Sequence, residues 1–103
     1  MRQFTYILLA SLLSLNTGLW AQDINILLSL QQSAYNYANS GEYLKSIETW
    51  DEYLRVVDLL EGRNTAKYFL GLVEKGNVLI KSERYNEAEI ILNEAMDISA
   101  EGI

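Results

Sequence analysis

The amino-acid sequence predicts an all-α fold: two stacked antiparallel helical hairpins, a short α-solenoid, following an N-terminal signal helix. Three observations carry this prediction. Apolar residues recur at helical spacing over most of the chain, one stretch of sequence returns at a fixed offset, and the breaks between helical stretches are only a few residues long. The expected organisation is a signal peptide over residues 1–21, a first hairpin over 22–62 and a second over 63–103.

The first segment differs from everything after it. Met1-Arg2-Gln3 carries one positive charge, and the run that follows, Phe4 to Leu15, is apolar and uncharged. Asn16-Thr17-Gly18 then breaks a helix, and Leu19-Trp20-Ala21 puts a small residue where a signal peptidase needs one. Cleavage is expected after Ala21, with an uncleaved membrane anchor or a buried core helix as the alternatives. The uncharged run Gln3–Gln22 is 20 residues, about enough to cross a bilayer. The expected location is periplasmic or secreted.

Four helices are predicted near residues 23–40, 43–60, 65–82 and 85–99. In the first, Leu27, Leu30, Ala34, Tyr37 and Ala38 form the stripe; in the second, Tyr43, Ile47, Trp50, Leu54 and Val57. The third carries Phe69, Leu72, Val73, Gly76, Leu79 and Ile80, and the fourth Tyr85, Ala88, Leu92 and Ala95. Ser40-Gly41-Glu42 and Ser82-Glu83-Arg84 are short enough to force antiparallel packing of the helices they join. Between the hairpins, Gly62 can take the left-handed conformation that closes a helix, and Asn64 or Thr65 can cap the next.

The repeat is read by aligning Ser40–Glu48 with Ser82–Ile90, an offset of 42 that also pairs Ala34 with Gly76, Tyr37 with Leu79, Trp50 with Leu92 and Tyr53 with Ala95. Small residue, large residue, then Gly-x-Tyr-x-x-small-x-x-x-aromatic-x-x-small resembles the tetratricopeptide repeat. Gly76, Leu79, Tyr85, Ala88, Leu92 and Ala95 follow that pattern in the second copy. Ala34, Tyr37, Gly41, Tyr43, Ser46 and Trp50 follow it in the first, where Tyr53 replaces a small residue and calls for looser packing. The terminal proline of the family is missing, with Asp58 and Ala100 at its two places. The 42-residue period resembles the variant in kinesin light chains and bacterial regulatory arrays. An unrelated four-helix bundle is the competing architecture.

Composition narrows function. The chain has 103 residues with a net charge of −6, and loss of Arg2 with a signal would make it one unit more negative. Such a surface repels phosphate backbones and anionic lipid, so nucleic acid is not an expected partner, and membrane association is expected only through an uncleaved signal segment. There is no His and no Cys, which removes the commonest general base, the thiolate nucleophile and the usual zinc ligands. The carboxylate pairs Asp51/Glu52, Glu87/Glu89 and Glu94/Asp97 read as solvated helix faces. Gly71 and Gly76 have the separation of a phosphate-binding loop, yet Asn77-Val78 stands where Lys-Ser/Thr is needed. Gly76 is instead expected where two helices cross, and Gly71 as a tolerated helix glycine. No enzyme activity, cofactor or metal is expected.

Aromatic residues are numerous. Tyr37, Tyr43, Trp50 and Tyr85 are expected in the core, whereas Tyr35 and Tyr68 fall off the main stripes. The resemblance implies that the first helix of each hairpin lines a concave groove. That places Leu28, Gln31, Tyr35 and Asn39 beside Leu70, Val73, Asn77 and Lys81, a mixed surface suited to a peptide or a partner's helix. The basic clamp by which some relatives hold a terminal carboxylate needs Lys and Asn where Gln31 and Tyr35 stand. The expected function is a noncatalytic protein-binding module outside the cytoplasm; the alternative is the N-terminal sensory or autoinhibitory segment of a larger signalling protein or protease. Too few partners are expected to cover all of Ile90, Ile91 and Ile98 on the last helix, so self-association through that helix, or melting at low temperature with exposed apolar surface, is also expected.

Overall fold

The computed structural model describes residues 23–102, and these contain four α-helices and no strand. The signal segment 1–21 and its cleavage after Ala21 lie outside the described residues. Helix α1 covers 23–39, α2 Tyr43–Leu60, α3 Ala66–Lys81 and α4 Tyr85–Ala100. Each boundary lies within two residues of the sequence expectation. Among the described residues, no helix is long and apolar enough to cross a membrane.

The turns have specific chemistry. After α1, Gly41 adopts φ +78° while its N–H reaches Ala38 O and the Glu42 N–H reaches Tyr37 O at 2.8 Å. This paired bonding satisfies the last carbonyls of the helix. The same pair recurs 42 residues later, with Glu83 N–H on Ile80 O and Arg84 N–H on Leu79 O at 2.8 Å. There the left-handed residue is Glu83, at φ +64°, a conformation that an L side chain enters at a cost. Gly62, at φ +89°, closes α2 as expected. Of the two capping candidates it is Thr65 that starts α3, its hydroxyl accepting the Tyr68 N–H at 3.2 Å.

Each helix runs antiparallel to the one before. Between α1 and α2, the Gln31 amide donates to the Tyr53 hydroxyl at 3.1 Å, Tyr35 meets Trp50, and the Ser46 hydroxyl donates to Ala34 O at 2.7 Å. Partners therefore descend along α1 as they ascend α2. Between α2 and α3 the order is Asp51 with Lys75, Tyr53 and Leu54 with Gly71, and Glu61 with Lys67. Helix α3 packs on α2 and on α4, and Gly76 lies against Leu92.

That double contact explains several departures from the sequence reading. Leu72, Gly76 and Leu79 form the expected buried stripe on α3. A second buried line, Tyr68, Gly71 and Val78, follows the register of the α2 contacts. Tyr68 thus belongs to the core, and Ile80, expected there, is exposed. Gly71 is not merely tolerated: a Cβ on it would lie 2.7 Å from a Leu54 methyl and 2.9 Å from the Tyr53 ring. This gap in α3 is what admits Tyr53, which is wholly buried rather than loosely packed.

Two further findings concern α4, the first of them a correction. Tyr85 is 60% exposed, because the first residue of the helix projects beyond the crossing that buries Ala88. Of the three isoleucines for which too few partners are expected, Ile98 is buried, Ile91 is half-buried against the core and Ile90 is left exposed.

Candidate functional site

The local core beneath α1 is aromatic. Trp50 is completely buried, and the rings of Tyr35 and Tyr53 meet it nearly perpendicularly, with centroids 5.2 and 5.3 Å away. Perpendicular contact sets the positive edge of one ring against the negative face of another. Trp50 is therefore a pedestal for Tyr35, whose other side remains 39% exposed.

Leu28, Gln31 and Tyr35 share one shallow open cleft along α1, together with Gln32 and Asn36. Leu28 is exposed and Gln31 half-buried, the latter held by its bond to Tyr53. Asn39 is exposed one turn farther along the helix, outside that cleft. On α3, Leu70 and Val73 are half-buried, while Asn77 and Lys81 are exposed. These eight positions thus pass from a partly apolar end to a polar one.

Glu74 of α3, absent from the sequence-based set, lies close enough to Tyr35 of α1 to act on its hydroxyl. Burial raises the Tyr35 hydroxyl above its ordinary pKa, and the nearby negative charge of Glu74 raises it further. Tyr35 consequently stays protonated near neutral pH. Tyr53 is also raised by burial, against the opposing effect of its Gln31 bond. The arrangement offers amide and hydroxyl groups around an aromatic ring, chemistry suited to binding rather than to proton transfer near neutral pH.

Several acidic residues are paired with Lys or Arg away from this cleft. Glu52 pairs with Arg55, Glu87 with Arg84, and Asp51 with Lys75 across the α2/α3 joint at 2.6 Å. The exposed pairs add little to stability, since water and salt screen them. Among the described residues no group of three or more acidic side chains is placed to hold a metal ion. No family model, no curated protein and no solved structure matches this chain.

Proposed function

We propose that the chain is a noncatalytic protein-interaction module of tetratricopeptide type, exported from the cytoplasm, that receives a peptide or a partner's helix on the α1/α3 face. In this reading α1–α2 and α3–α4 are two copies of one hairpin, stacked as a short solenoid, and residues 1–21 direct export. The supporting observation is Tyr35: an aromatic ring held from behind by Trp50, near the charge of Glu74 of α3, and open to solvent within a cleft of amides and Leu28. Partly exposed aromatic residues on rigid supports supply contact area at little entropic cost, which is why they anchor interfaces.

A photo-crosslinking amino acid placed at Tyr35, and separately at Leu59, tests the reading. Leu59 is 73% exposed and lies on α2, away from this cleft. In cells expressing the protein, the Tyr35 probe is expected to capture a defined protein partner that the Leu59 probe does not. Asn77→Ala and Lys81→Ala should reduce that capture. Equal capture at both positions, or capture indifferent to Asn77 and Lys81, would remove the groove assignment.

A further inference from the structure

Among the described residues one joint links the hairpins, α2 against α3, and counterparts of both its halves lie on α4 and α1. Inside the joint, Leu54 covers Gly71 and is 7% exposed, and Tyr68, on the same line of α3 as Gly71, is 8% exposed. Asp51 pairs there with Lys75. Moving along the chain by the repeat offset of 42 carries Leu54 to Met96 and Asp51 to Asn93 on α4. Moving back by 42 carries Tyr68 to Ile26, Gly71 to Ser29, Leu72 to Leu30 and Lys75 to Ser33 on α1.

Among the described residues most of the counterparts lack a cover, while Ser33 is half-buried and Leu30 half-buried against the core. Met96 is 66% exposed and Ile26 47%, Ser29 and Asn93 are exposed, and Asn25, Ile26, Ser29 and Leu30 line an open surface cleft. Ser29 carries the Cβ that Gly71 lacks, and what would face it is less demanding than in the joint: flexible Met96 stands in place of Leu54 and small Ala95 in place of the Tyr53 ring. The ion pair changes in step on both sides: Asn93 replaces the acid and Ser33 the base. Had one side alone become neutral, docking would bury an unpaired charge; neutral on both sides, the two can share a hydrogen bond.

From this correspondence we infer that a second copy of this chain docks head to tail, the Met96 face of α4 on one copy seating on the Ile26–Ser29–Leu30 face of α1 on the next. The contact is heterologous, so it leaves a free α4 face at one end of a pair and a free α1 face at the other. It is also weaker than the internal joint, since Ser99 stands where buried Val57 stands in α2.

Sedimentation of the protein as cells leave it, with its N-terminus read by mass spectrometry, tests this with two variants, Met96→Asp and Ile26→Asp. Both positions are substantially exposed, and circular dichroism checks that each variant remains helical. The unaltered protein is expected to gain average mass between about 10 µM and 1 mM without levelling off at a dimer, as an open junction of modest affinity requires. Each variant alone should remain a monomer. Mixed in equal amounts they should form a heterodimer and nothing larger, because the mixture contains one intact α4 face and one intact α1 face. An unaltered protein that stays monomeric throughout, as it would if its own residues 1–22 covered α1, overturns the inference. So does association that survives Ile26→Asp, which would mean α4 against α4.

Discussion

The two hairpins cross differently although their positions correspond. In α1–α2 the crossing is Ala34 against Ser46, whose hydroxyl donates to Ala34 O, and the space beside it holds Trp50 between two tyrosine rings. In α3–α4 the corresponding residues are Gly76, Ala88 and Leu92, with neither hydroxyl nor aromatic ring. Removing a Cβ at residue 76 lets the helices approach until Leu92 rests on bare backbone. A large aromatic filler with a side-chain hydrogen bond and a close approach over glycine are thus two solutions to one packing problem. The first also leaves a supported ring, Tyr35, at the surface of α1.

The largest expected effect comes from breaking the aromatic side of this comparison. Trp50→Ala should destabilise the protein by about 3–5 kcal/mol in urea unfolding, the range for truncating a fully buried aromatic residue. Leu92→Ala, at the corresponding but half-exposed position, should cost less than half as much. Equal losses would mean that both hairpins depend on their fillers alike.

The glycines give the next effect. Gly71→Ala sets a methyl against the Tyr53 ring, which is fully buried and has nowhere to move. Overpacking costs of about 1–3 kcal/mol then exceed the gain of about 1 kcal/mol from replacing a helical glycine, so the melting temperature should fall. Gly76→Ala meets Leu92 at 2.5 Å, but that side chain is partly exposed and can swing outward. It should cost less than Gly71→Ala in the same thermal scan.

These residues also mark where sequence reasoning reached and where it stopped. The helices were legible because each carries a stripe at spacing 3 and 4, and Gly76 was legible as a crossing because it aligns with Ala34. Helix α3, however, buries two faces, and a search for one stripe finds one. Tyr68, Gly71 and Val78 lie on the other, so the core role of Tyr68 and the contact made by Gly71 went unseen. On the candidate site, register alone brought Leu28, Gln31 and Tyr35 together. Glu74 was missed because its significance depends on a neighbour 39 residues away in the sequence, Tyr35, which no local spacing reveals.

The smaller effects compare the two crossings and the two turns. Ser46→Ala makes the first crossing resemble the second and should cost about 1 kcal/mol, the usual net value of a lost hydrogen bond, measured by urea unfolding. Glu83→Gly gives the second turn the residue that the first already has at Gly41. Relief of the left-handed strain, partly offset by greater freedom in the unfolded chain, should stabilise the protein by less than about 1 kcal/mol. A loss of stability there would show that the Glu83 side chain contributes more than its backbone conformation costs.

The central claim is that the chain is a linear succession of antiparallel helices, two differently crossed copies of one hairpin joined through α2 and α3, rather than a closed bundle. Nuclear Overhauser contacts test it most directly. The predicted set is Tyr35 ring to Trp50 indole, Leu54 methyls to Gly71 Hα, and Leu92 methyls to Gly76 Hα, with none linking Leu30 of α1 to Leu92 of α4. Strong Leu30–Leu92 contacts together with loss of the Leu54–Gly71 contact would contradict it, because they would place α1 beside α4 in an up-and-down bundle.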